Sequence, residues 1–194
     1  LGWSRTTTTT AAMRLAVLAI FTTAVLAAPD QPNLCPYVSS YLPSECYCAP
    51  PSTISCSASW QPYFAFTAKA DLELCANPAT LTLAVSVSQP TSVGWDHTFS
   101  LDRTEQIDIP GASVDIPDVG SAGLVADVGL GGSIENLDLS LGIDVCASIF
   151  GDSVCGADLA SYIPELQPYI PFTILNDTFD FSSACDMAET ASFL

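Results

Sequence analysis

The sequence predicts an all-β fold: an antiparallel two-sheet sandwich of about seven or eight strands, disulfide-stapled, behind an irregular Cys/Pro-rich N-terminal segment. Three observations predict it. Apolar and polar residues alternate with period two through most of residues 57–185. Gly, Pro and Asn punctuate that alternation. The chain also holds 8 cysteines, all downstream of a secretory-type leader, and an even number there implies up to four disulfides.

Composition sets the class. Of the 194 residues, 49% are hydrophobic and only 13% charged, which suits one ordered domain with its own core and not a disordered chain. Asp and Glu number 21 against 4 Lys and Arg, giving a formal net charge of −17. A chain this acidic has nothing to neutralise phosphates, so nucleic acid and anionic membrane surfaces are excluded as partners.

Residues 1–12, with their run of threonines ahead of Met13, read as a leader that is non-native or untranslated. Residues 13–28, MRLAVLAIFTTAVLAA, follow the plan of a signal peptide. Arg14 is its positive start, Leu15 to Leu26 its apolar run, and Val25-Leu26-Ala27 its small-residue cleavage site. That run is too short to span a bilayer, which needs about 20 residues. The mature protein is therefore expected over 29–194 as a single secreted, extracellular domain. Without Arg5 and Arg14, only Lys69 and Arg103 face the 21 acids.

Within that domain, residues 29–56 are rich in Pro, Ser and Cys and read as a loop-dominated segment, with the β-core over 57–185. The first strand pattern places Phe64, Phe66, Ala68, Ala70, Leu72 and Leu74 on one face and Lys69, Asp71 and Glu73 on the other. After the turn Ala76-Asn77-Pro78, Leu81, Leu83, Val85 and Val87 alternate with Thr82, Ala84, Ser86 and Ser88, completing a hairpin. Trp95, His97, Phe99 and Leu101 continue the pattern. Two short runs, Ile107/Ile109 and Val114/Ile116, flank a turn expected at Pro110-Gly111. Leu124, Ala126, Val128 and Leu130 form the next run. Leu137, Leu139, Leu141, Ile143 and Val145 form the strictest one, with Asp138 and Asp144 between them. Phe172/Ile174 and Phe179/Phe181 make a last pair of short runs. Residues 155–163 and the tail suit short helical turns only, because Pro164, Pro168 and Pro171 interrupt the first.

The cysteines are Cys35, Cys46, Cys48, Cys56, Cys75, Cys146, Cys155 and Cys185. Cys46 and Cys48 project to the same side of an extended chain and are expected to bond different partners. Cys146 and Cys155 suit a local loop, and Cys185 a staple back to the N-terminal cluster. A zinc site is disfavoured: there is no CxxC pair, and the single histidine is far from every cysteine in sequence.

Signals for chemistry in the sequence are weak. Gly151-Asp152-Ser153 offers a serine, and His97 beside Asp96 a base and an acid. Val154-Cys155 replaces the glycines an oxyanion hole would want, and His97 falls on an apolar face, where a buried structural histidine is expected. Glu73, Glu105 and Glu135 are the glutamates in or near strands for a two-carboxylate glycosidase, without a spacing that singles them out. Calcium is the one cofactor with any support, from Asp108, Asp115 and Asp118 and from Asn176, Asp177 and Asp180. Against it, Asp127, Asp138 and Asp144 are expected simply to solvate an outer face. Trp60, Phe64, Phe66, Trp95 and Phe99 suit core packing better than a ligand cavity. Asn176-Asp177-Thr178 fits the acceptor pattern for N-glycosylation.

No catalytic residue and no metal ligand is assigned. The reading is a non-catalytic extracellular binding, adhesion or matrix protein, with a protein or matrix partner that is basic or bridged by cations. A carrier of a small apolar ligand is the alternative, and a hydrolase is less favoured.

Overall fold

The computed structural model describes residues 31–191 apart from 118 and 150, so the segments read above as a leader (1–12) and a signal peptide (13–28) lie outside the described residues. Two five-stranded antiparallel sheets form the molecule. The first sheet holds β1 (Cys46–Ala49), β2 (Thr53–Trp60), β3 (Phe64–Glu73), β4 (Thr80–Gln89) and β5 (Val93–Ser100), each paired with the next in sequence. The second sheet runs β10 (Phe172–Phe179), β8 (Asn136–Ile149), β7 (Gly120–Ser133) and β6 (Arg103–Ile116), while β9 (Asp152–Cys155) pairs with β8 beyond the end of β10.

Alternation produces this arrangement directly. The even-numbered residues of β3 from Phe64 to Leu72 are buried, as are Leu81, Leu83, Val85 and Val87 on β4. From the second sheet, Leu124, Ala126, Val128 and Leu130 of β7 and Leu137 to Val145 of β8 close the same core. Their partners on the outer faces are mostly Ser, Thr, Gly and Asp. A one-residue slip would exchange the two sets, so burial fixes the register.

Among the described residues, three short α-helices complete the fold: α1 (Cys35–Val38), α2 (Gly156–Ala160) and α3 (Ser182–Ala191). Between β9 and β10, α2 and a 3₁₀ turn at Pro164–Leu166 bury Leu159, Ile163, Leu166 and Ile170, closing the side of the sandwich along β8. Ahead of α3, the Phe181 N–H donates to the Ile134 carbonyl (2.9 Å), and Asp180 accepts from the Ser182 N–H (2.9 Å) and hydroxyl (2.6 Å). Those two bonds, the hydroxyl's first, hold the Asp180 carboxyl below its ordinary range.

Four disulfides tie the elements: Cys35–Cys48, Cys46–Cys56, Cys75–Cys185 and Cys146–Cys155. Cys46 and Cys48 do bond different partners, and Cys146–Cys155 is local. Cys185 corrects the expectation, because it bonds Cys75 just past β3 and not the N-terminal cluster. The Phe181–Cys185 turn docks at the end of the sandwich where the β3–β4 hairpin turns.

Other differences have physical reasons. The described part of the Cys/Pro-rich segment, residues 31–56, carries more regular structure than its prolines suggest. Pro36 sits in the first turn of α1, where its missing N–H costs nothing, and Pro50 and Pro51 lie at the β1–β2 turn, leaving Cys46–Ala49 free to pair. Pro110-Gly111 is a bulge within one long strand and no turn. Asp108 pairs with Val125 and Ser113 with Gly123, so β6 absorbs extra residues, helped by Gly111 at φ +78°. That bulge is why the buried positions change from odd to even between Ile109 and Ala112. Likewise Phe172 and Phe179 share one strand, with an irregularity between Thr173 and Leu175.

Candidate functional site

The triad reading brings no site together. Ser153 is exposed on β9 opposite Ser148, and its hydroxyl lies 3.8 Å from Cys155 Sγ. His97 stands on β5, in the other sheet. Its Nε2 lies 3.8 Å from Glu105 on β6, which also accepts from Arg103 at 3.4 Å. Asp96 projects from the opposite face of β5 and cannot orient the imidazole. His97 is half-exposed and not buried as expected, because β5 is an edge strand; the ring stacks on Trp95 (5.9 Å, 6°) and meets Phe99 edge-on (4.8 Å).

Glu73, Glu105 and Glu135 are dispersed over β3, β6 and the β7–β8 turn. Asp108 and Asp115 sit on either side of the β6 bulge, while Asp118 lies outside the described residues. Asp177 accepts from the Thr178 N–H (2.8 Å), and Asp180 is committed to Ser182. Among the described residues, no three His, Cys, Asp or Glu side chains gather as a metal-ligand group. Trp60, Phe64 and Phe66 interlock with Phe172 of β10 at centroid distances of 4.9–6.4 Å and so fill the core.

The outer face of the second sheet does hold a site. Asp127 on β7 faces Gly142 on β8, and Asp144 lies two residues further along β8, opposite Val125. Both carboxylates line a cleft of about 270 Å³ with Ser140, Gly142, Thr173 and Asn176. Asp127 is exposed, whereas Asp144 is only 9% exposed, which corrects the expectation that it solvates this face. The cause is the chain leaving β9. The Cys146–Cys155 bridge carries Gly156 against Asp144, and only glycine fits there: φ is +55°, and a Cβ would stand 2.6 Å from Asp144 Oδ2.

Asp144 receives the Val145 N–H at 2.7 Å and the Gly156 N–H. Burial nevertheless pushes its carboxyl above the ordinary aspartate range, and the charge of Asp127 adds to that, against the lowering effect of the two N–H donors. Because the folded carboxyl is shifted up, its ionisation works against folding. This contribution to stability rises as pH falls through the folded pKa towards the unfolded one, and is lost again on returning to neutral pH. Asp127→Asn is expected to lower the Asp144 pKa without restoring the ordinary value, since burial is the larger cause. Carboxyl-detected NMR titration checks this, and an unchanged Asp144 midpoint would show that the two carboxylates do not communicate.

The fold and cleft together define a disulfide-stapled antiparallel β-sandwich with an acidic cleft on one outer face. No family model, curated protein or solved structure matches the chain. No helix among the described residues is long and apolar enough to cross a membrane.

Proposed function

We propose that this chain is a secreted, non-catalytic binding protein, and that the Asp127–Asp144 cleft receives a basic group of an extracellular partner. One observation carries the reading: two carboxylates share a cleft, one of them desolvated, and neither Lys69 nor Arg103, the two Lys and Arg side chains among the described residues, answers them. Lys69 lies on β3 in the other sheet, and Arg103 is held to Glu105. A guanidinium or ammonium entering the cleft supplies the missing charge and meets hydrogen-bond acceptors. The four disulfides fit an oxidising compartment.

Titration with short peptides carrying arginine or lysine, followed by amide chemical shifts, tests this. Expected are shifts centred on residues 127 and 144, weakening with salt, and about tenfold weaker binding in Asp127→Asn. Equal binding of a matched neutral peptide, or shifts dispersed over the whole surface, would overturn the reading. A second reading rests on the same pair, since a carboxyl shifted upward beside a second carboxyl group is what a two-carboxylate glycosidase uses. Turnover of a glycoside panel that is lost in Asp144→Asn would favour it.

A further inference from the structure

We propose that Asn176 carries an N-linked glycan whose first sugars lie across the second sheet's outer face, from β10 towards β6; this rests on the secretory reading above. Asn176, Asp177 and Thr178 are all exposed on β10, the terminal strand of its sheet path. Asn176 pairs with Ser140, which faces Gly129, which faces Thr104, so a row of short side chains leads inward from the acceptor. That row floors a trough of about 540 Å³ reaching Gly131 and Asp138. Nothing lies within 4 Å of where a Cβ on Gly131 would be, so the floor there is open to an incoming ring. The Thr178 hydroxyl, the third element of the acceptor, donates to Asp138 at 2.5 Å and holds one wall in place.

The chemistry needs one co-reactant, a polyisoprenyl-diphosphate oligosaccharide in the secretory lumen. The Asn176 side-chain nitrogen forms a bond to the anomeric carbon as the carbon–oxygen bond to the diphosphate breaks. The lipid diphosphate leaves with the electron pair, and the amide proton passes to a base of the transferase. The consequence for the fold is protection. An exposed terminal strand is a template for pairing with a second chain, and a bulky hydrated group beside β10 obstructs that approach.

The test is secretion of the full chain from eukaryotic cells, once on its own leader and once behind an added, independently working leader, with intact mass before and after enzymatic removal of N-glycans. Expected is a glycan at residue 176 that is retained in Thr178→Ser and completely lost in Thr178→Ala and Asn176→Gln. Nuclear Overhauser contacts should run from the first N-acetylglucosamine to the Hα protons of Gly131. Failure of the native leader alone would count against the secretory reading and leave the added-leader arm to decide the glycan. Secreted chain that is bare at Asn176 overturns the proposal. A glycan present without contacts to the trough overturns its placement.

Discussion

Replacing Cys75 and Cys185 together by alanine is expected to cost about 3–5 kcal/mol of stability, the largest loss from opening any one of the four bridges. The reason is the ring each bridge closes. Cys75–Cys185 spans 110 residues, whereas the others span 13, 10 and 9. Constraining a long segment removes more freedom from the unfolded chain, so opening the Cys146–Cys155 ring is expected to cost only roughly 2.5 kcal/mol on the same model. Urea unfolding of the two double variants measures the difference. Equal losses would show that the bridges act through native packing and not through the unfolded chain.

Trp60→Ala is expected to cost about 3–5 kcal/mol, as truncation of a fully enclosed aromatic does. Trp60 is 2% exposed at the end of β2 and meets Phe64 and Phe66 of β3 and Phe172 of β10 edge-to-face, so it joins the two sheets. Trp95→Ala provides the comparison. That indole is only partly buried, on the edge strand β5 at the rim of the core, and packs on His97, so its loss should be less costly. Chemical denaturation of both variants decides the matter, and a Trp60→Ala loss no greater than that of Trp95→Ala would remove Trp60 from its place at the centre of the core.

Much of this fold was legible because burial and strand periodicity carry the same information. The alternations from Phe64 to Leu74 and from Leu137 to Val145 specify which face turns inward without reference to any neighbour. The bulge at Pro110-Gly111 was not legible as such. A proline and a glycine between two short alternating runs serve equally well for a turn, and only the pairing of Asp108 with Val125 and Ser113 with Gly123 distinguishes them. The short strands β1 and β9 were hidden for a different reason: each has four residues and is held by a disulfide to the strand beside it.

The cleft was the least legible part. Asp144 sits in strict alternation and therefore reads as an outer, solvated residue, and it is indeed on the outer face. Its burial comes from Gly156, which the chain brings back over that face. The available clue was the pair Cys146 and Cys155, since a ring closed there forces the following residue against β8. Reading Asp144 as desolvated would have required following the backbone past the second cysteine, which side-chain patterning does not do.

The strict succession of β1 to β5 also bears on the order in which the molecule is assembled. Each strand of that sheet finds its partner in the segment made just before it, so the whole sheet can form while the ribosome is still extending the chain beyond Ser100. Cys35, Cys46, Cys48 and Cys56 can settle their pairings at that stage. Cys75 cannot: its partner lies 110 residues further along the chain, and until Cys185 emerges it is the odd thiol among neighbours already bonded to one another. Early closure of those two local rings is what keeps Cys75 available for the bond that joins the finished sheet to α3.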